Sequence, residues 1–170
     1  MIAIAIECMI AGLPEGRYRS LVRQVLERLP AGWDHYRTLG FELSDEKPTR
    51  GYASSFRDEE IEGERVPLID GHHEQCWTVT LYRPWVDQLS DTAVLWVIAH
   101  ELGHVAAGMA CGSLVEGGRP HTRVSVAGDV YREVTADERA AGEKIADAVG
   151  RAWGFWLEEE QFEEEAPRLV

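Results

Sequence analysis

Two histidines four residues apart, with a glutamate directly after the first, lie in an apolar stretch: His100-Glu101-Leu102-Gly103-His104 follows Ala93-Val94-Leu95-Trp96-Val97-Ile98-Ala99. On a helix, residues four apart share a face, so both imidazoles can reach a single ion. Zinc suits such a pair, being borderline-soft, content with nitrogen and oxygen, and tetrahedral when bound. Glu101 falls on the neighbouring edge of that helix. It would sit beside the ion without binding it, as a general base for a metal-held water must.

Two histidines leave a catalytic zinc one protein ligand short, because open sites use three and a water. A histidine six residues beyond His104 would mark the metzincin pattern, but that position is Ala110, and the glycine stands at 108 instead of 107. The preferred third ligand is Glu133, within Glu133-Val134-Thr135-Ala136-Asp137. A carboxylate early in a following helix completes a His2Glu set. Asp137, one turn on, would accept the other N–H of a ligand histidine and fix its tautomer. His121, Glu116, Asp129 and Glu143 compete for the third position.

His100-Glu101-x-x-His104 followed by Glu133-x-x-x-Asp137 resembles the gluzincin metalloproteases. Among them the short cytoplasmic ImmA/IrrE-type proteins are similar in size, in the Ala-His-Glu-Leu-Gly-His wording and in a Glu-x-x-Ala-Asp pattern after it, over about residues 85–150. The resemblance implies a Zn2+ endopeptidase. Zinc would acidify its water, and Glu101 would take the proton and later hand it to the leaving amine. The substrate would be a protein or peptide segment lying extended along a strand. Cys76 to Tyr82 is the expected strand beside the cleft, and Tyr131 or His121 the expected oxyanion helper. Peptide deformylase shares the histidine motif but needs a cysteine in Glu-Gly-Cys-Leu, and neither Cys76 nor Cys111 stands in one. The alternative outside enzymes is a zinc-stabilised binding or regulatory module, against which the intact Glu101 argues.

The elements that must hold these residues are legible in part. Ser90 or Asp91 should cap a helix running from about 91 to 109, with Leu95, Ile98, Leu102 and Val105 as its core stripe. Gly103 is costly inside a helix, which suggests close approach by another backbone. Residues 113–128 read as a loop in which Val124 and Val126 form a short strand. A second long helix is expected after Gly128 with Asp129 as cap, and an apolar stripe of Ile145, Ala148, Val149, Ala152, Trp153 and Trp156. Gly142, Gly150 and Gly154 would let it pack tightly or break it in two.

Upstream, Ile2, Ile4 and Ile6 alternate, which favours a strand over a helix for residues 1–12. Tyr18, Leu21, Val22, Val25, Leu26 and Leu29 recur at helical spacing, with Arg17, Arg19, Arg23 and Arg28 as a solvated face. From 35 to 83 the period is two: Leu39, Phe41 and Leu43, then Trp77, Val79 and Leu81, with 51–56 and 66–69 as edge strands or hairpin arms. Asp58 to Glu64 reads as a solvated turn, and His72 and His73 as surface residues. The expected fold is α+β and zincin-like: a small mixed sheet of three to four strands packed on the histidine helix and a second long C-terminal helix. Residues 1–157 would form one domain and 158–170 a solvated acidic tail.

Composition bounds the partners. The 170 residues carry a formal charge of −13, which argues against a nucleic-acid surface, and hold no uncharged run long enough to cross a bilayer. The N-terminal apolar run has no basic residue ahead of it and meets Glu7 early, so a signal peptide is not expected. Three widely spaced cysteines, at 8, 76 and 111, suit reduced thiols and a cytoplasmic setting. Oligomeric state is left open.

Overall fold

In the computed structural model, which describes residues 2–31, 37–47, 52–58, 75–111, 114–116, 119–121, 123–127, 130–133 and 136–166, the histidine helix α4 runs Asp91–Cys111. Its other helices are α1 (Ile2–Met9), α2 (Arg17–Arg28), α3 (Arg83–Val86), α5 (Ala136–Ala152) and α6 (Trp156–Glu165). Its strands are β1 (Arg37–Ser44), β2 (Ala53–Asp58), β3 (Gln75–Tyr82), β4 (Leu114–Glu116), β5 (Arg119–His121), β6 (Arg123–Ala127) and β7 (Val130–Glu133).

Ser90 caps α4: its Oγ accepts the N–H of Ala93 at 3.2 Å. The N–H of Ser90 in turn donates to Glu165 Oε2 at 2.8 Å. This is the reciprocal logic of a capping box with the carboxylate supplied by α6. Beyond the cap, Ala93, Val94, Trp96, Val97, Ile98, Ala99, Glu101, Leu102 and Val105 are all buried. A helix apolar nearly all round has to be enclosed by neighbours on every side.

On one side lies a mixed three-stranded sheet in the order β1-β3-β2. β1 and β3 are parallel with Phe41 opposite Val79, and β2 and β3 antiparallel with Ala53 opposite Leu81. Leu39, Phe41, Trp77, Val79 and Leu81 point into the core, which is the period-two pattern of a sheet covered on one face. The expectation of an α+β fold with a small mixed sheet and a second long helix holds. β3, expected beside the cleft, is instead the central strand, hydrogen-bonded on both sides. Among the described strands, β1 and β2 take the two ends of the sheet. Two small antiparallel pairs, β4-β5 and β6-β7, fill the stretch expected as a loop.

α1 is a helix, not the strand that alternating isoleucines suggested. Its inward residues are Ile6 and Met9, followed by Ile10 and Leu13 just past its end, a three-and-four spacing that outweighs the earlier alternation of Ile2, Ile4 and Ile6. α2 buries the expected Tyr18, Leu21, Val22, Val25 and Leu26. Its arginines reach acidic neighbours of the same chain: Arg17 pairs with Asp91 at 2.7 Å, Arg23 with Glu7 at 2.5 Å and Arg28 with Glu158 at 2.5 Å.

α5 begins at Ala136, later than the expected start after Gly128, because Val130–Glu133 pairs with β6 as a strand. Its buried positions are Gly142, Ala146 and Gly150, while Ile145, Ala148 and Ala152 are exposed. Of the expected apolar stripe, Ile145, Ala148, Ala152 and Trp156 are thus exposed, Val149 is half-buried, and Trp153 packs against the core. A close helix pair selects small residues at its seam, and a reading that weights large apolar side chains misses them. Gly154, at φ +89°, ends the helix where a side chain would be strained. The acidic run after it is not a solvated tail: α6 docks by Phe162, follows the fully buried Phe155, and is tied by Glu158 to Arg28 and by Glu159 to Arg151. The 66–69 strand, most of the Asp58–Glu64 turn, His72 with His73, and Asp129 lie outside the described residues.

The expected close approach at Gly103 is present. A Cβ there would lie 2.6 Å from the carbonyl oxygen of Ala146 and 2.9 Å from its Cα. Gly103→Ala should therefore lower stability by about 1–3 kcal/mol despite the better helix propensity of alanine. For a chain of this size that is a fall in Tm of roughly 2–10 °C. A thermal melt checks it, and an unchanged or raised Tm would contradict the contact.

Candidate metal centre

α4 presents Trp96, His100, Gly103 and His104 along one face, at offsets of four, seven and eight. α5 answers with Glu143, Ala146, Asp147 and Gly150, at offsets of three, four and seven. The small residues set the distance between the two helices. Gly103 abuts Ala146, and a Cβ on Gly150 would lie 2.8 Å from the Trp96 ring. With the backbones this close, side chains flanking the small ones meet across the seam.

His100 Nε2 lies 3.1 Å from His104 Nε2 and 3.1 Å from Glu143 Oε2, and His104 Nε2 lies 3.5 Å from Glu143 Oε1. On its other side, His100 Nδ1 is 2.8 Å from Asp147 Oδ1. Two imidazole nitrogens and a carboxylate oxygen thus converge, all within 4.8 Å of one another. The fit to a divalent ion is good. Tetrahedral bonds of about 2.0–2.1 Å put ligand atoms roughly 3.4 Å apart, and two ring nitrogens at 3.1 Å need a cation or proton to share. Asp147, by accepting the hydrogen bond of Nδ1–H, keeps that proton in place and leaves Nε2 as the nitrogen to ligate. Glu101 is buried at 8% exposure and lines a cavity of about 300 Å³ together with His100, Glu143 and Asp147.

Burial opposes charge on His100, but hydrogen bonds with Asp147 and Glu143 and the nearby charges of Glu101 and Glu143 outweigh it, raising its pKa from 6.5 to about 10. Hydrogen bonds with His100 and His104 hold Glu143 well below the usual carboxylate range against its own desolvation. The metal-free chain therefore keeps a proton on His100 at neutral pH. Because this folded pKa lies above the unfolded value, the His100 contribution to the metal-free fold is present below pH 6.5 and lost as pH rises through about 10, while the contribution of the Glu143 carboxylate is lost as pH falls below its usual range. A bound ion must displace the proton. Metal affinity should rise about tenfold per pH unit between about pH 7 and 9 and flatten above about 10. Calorimetry near pH 7.5 in buffers of different ionisation heat should count about one proton released per ion. Release of none would show that His100 does not ligate.

The residues singled out by spacing fare differently. His100, Glu101 and His104 stand together on α4. Glu133 ends β7 rather than opening a helix, and its side chain lies outside the described residues, as do those of Tyr131 in β7 and His121 in β5. Asp137 is exposed in the first turn of α5, and it is Asp147 that meets His100. A signal for this was present: Glu143-Lys144-Ile145-Ala146-Asp147 repeats the Glu-x-x-Ala-Asp wording of Glu133-Val134-Thr135-Ala136-Asp137 ten residues on.

No curated protein and no solved structure matches the chain. The family comparison does find a match, and it spans both histidines, Glu133 and Glu143 alike. Since peptidase family M48 matches over residues 69–159, more than half of the 170, the chain belongs to that family of metal-dependent peptidases.

Proposed function

We propose that the chain is a zinc endopeptidase of the gluzincin arrangement, with His100, His104 and Glu143 holding the metal, Asp147 orienting His100, and Glu101 transferring protons. The observation that carries this reading is the convergence of His100, His104 and Glu143, with Asp147 on the far nitrogen of His100. The i,i+4 step from Glu143 to Asp147 is the one expected of a ligand and its supporting carboxylate, ten residues beyond the Glu133–Asp137 pair. When bound, the ion supplies Lewis acidity and lowers the pKa of water toward neutrality.

The chain's own residues do the rest. Asp147 holds the Nδ1 proton and with it the tautomer and tilt of His100. The Glu101 carboxylate, shielded from bulk water beside the cavity, takes a proton from the attacking water and returns it to the leaving amine. β2, an end strand of the sheet among the described residues, begins where Tyr52 and Ala53 border the same cavity. A protein segment lying extended along it would bring a peptide bond to Glu101 by main-chain pairing. The likeness to ImmA/IrrE-type proteins rests on the wording of the motifs alone and adds nothing further to this reading. In the same reading the chain works in the cytoplasm, where the exposed and free Cys8 stays reduced.

The test is a peptide-library digest by chain stripped with a chelator and reloaded with Zn2+. Cleavage should vanish on stripping and return with one equivalent of zinc. One equivalent bound without cleavage of any peptide would favour a zinc-stabilised binding module instead.

A further inference from the structure

Besides His100, Glu101, Glu143 and Asp147, the described wall of the cavity is apolar. Trp96 and Val97 lie one turn before His100 and Glu101 on α4, Tyr52 and Ala53 come from the start of β2, and Phe162 comes from α6. Tyr52 meets Phe162 edge to face, with ring centroids 5.1 Å apart at 82°, and meets Trp85 at 6.3 Å and 66°. The Tyr52 hydroxyl donates to the carbonyl of Ala166 at 3.3 Å, so its polar tip is engaged and its ring serves as wall. α6 holds Phe162 in place because Glu165 is bound at the cap of α4 and Glu158 at Arg28. The space, about 300 Å³ in all, is at the small end for a ligand pocket. It admits one large side chain and no folded segment.

We propose that the apolar lining forms a specificity pocket that takes one large apolar side chain, aromatic or long aliphatic, from the residue adjoining the scissile bond; the proposal rests on the peptidase reading of the centre beside it. The five apolar lining residues offer no charge to a basic or acidic side chain, which would shed its hydration there uncompensated. The carboxylates of Glu143 and Asp147 are engaged by His100. An apolar side chain gives up no hydrogen bond by entering and releases water from both surfaces.

The test separates binding from cleavage. Full-length chain carrying Glu101→Gln and loaded with Zn2+ is titrated with labelled peptides that differ at one position: Phe, Trp, Ala or Lys. The Phe peptide should bind about 10-fold or more tighter than the Ala peptide, and the Lys peptide no better than Ala. Ala53→Phe fills the pocket and should remove the advantage of Phe. Phe162→Ala opens a wall and should shift the preference toward Trp. Equal binding of Phe and Ala peptides overturns the pocket, as does an order unchanged by both substitutions, whatever cleavage shows. Cleavage by the chain with Glu101 intact is read separately. If no peptide is cut while the Phe preference and its response to Ala53→Phe persist, the peptidase reading fails and the pocket stands as a binding site.

Discussion

Glu101→Gln should leave a folded chain that still binds one zinc and has lost nearly all proteolysis. The amide keeps the size of the carboxylate at a position that is 8% exposed, so packing around α4 is unchanged, and His100, His104 and Glu143 are untouched. What the amide lacks is a basic oxygen able to accept a proton from the attacking water. Removing a general base typically costs about 10²–10⁴-fold, and with one carboxylate serving both proton transfers the loss should lie near the upper end. Zinc stoichiometry and cleavage, measured side by side with the unsubstituted chain, decide the matter. Equal cleavage by both would end the assignment of Glu101. Loss of zinc along with activity would instead make Glu101 a ligand.

The second large effect separates the two Glu-x-x-Ala-Asp stretches. Glu143→Gln removes the carboxylate within 3.1 Å of His100 and 3.5 Å of His104, and should weaken zinc binding by more than about 100-fold. Outer-shell changes set the scale: Asp147→Asn, which keeps its shape but loses the charge that steadies His100, should fall in the range of about 10–100-fold. Glu133→Gln should leave zinc content as it was. The decisive measurement is competition for zinc against a chromogenic chelator across the three variants. Full zinc affinity in Glu143→Gln together with its loss in Glu133→Gln would return the third position to Glu133. The metal-free state gives a second readout. Glu143 contributes to the raised pKa of His100, so Glu143→Gln should lower it, visible as a midpoint at lower pH in the imidazole titration.

Much of this was legible along the chain because it is local. His100 and His104 share a face whatever surrounds them, since a helix repeats every 3.6 residues. Ser90 caps because its side chain reaches only its own next turn, and Gly103 announced a close neighbour because a glycine inside an apolar helix is otherwise costly. The alternation through Phe41 and Val79 marked a half-buried sheet, and the heptad-like recurrence from Tyr18 to Leu26 marked α2. Each inference needed only the geometry of one element.

The tertiary structure decided what depends on two elements at once. Two stretches have the spacing of a ligand and its supporting carboxylate, and nothing in either says which will lie opposite His100. The register of α5 against α4 chose Glu143 and Asp147 to face His100, and Gly103 on Ala146 with Gly150 on Trp96 sets that register by steric exclusion. Likewise the acidic run after Trp156 reads as solvated by composition, yet it follows the buried Phe155, its Phe162 packs half-buried against the core, and Arg28, Arg151 and Ser90 receive its carboxylates. That β2 and not β3 is an end strand among the described residues follows from β3 inserting between β1, to which it is parallel, and β2, to which it is antiparallel, a choice of partner that alternation within a strand cannot express. Local periodicity determines which face a residue takes, whereas only packing between elements determines what that face meets.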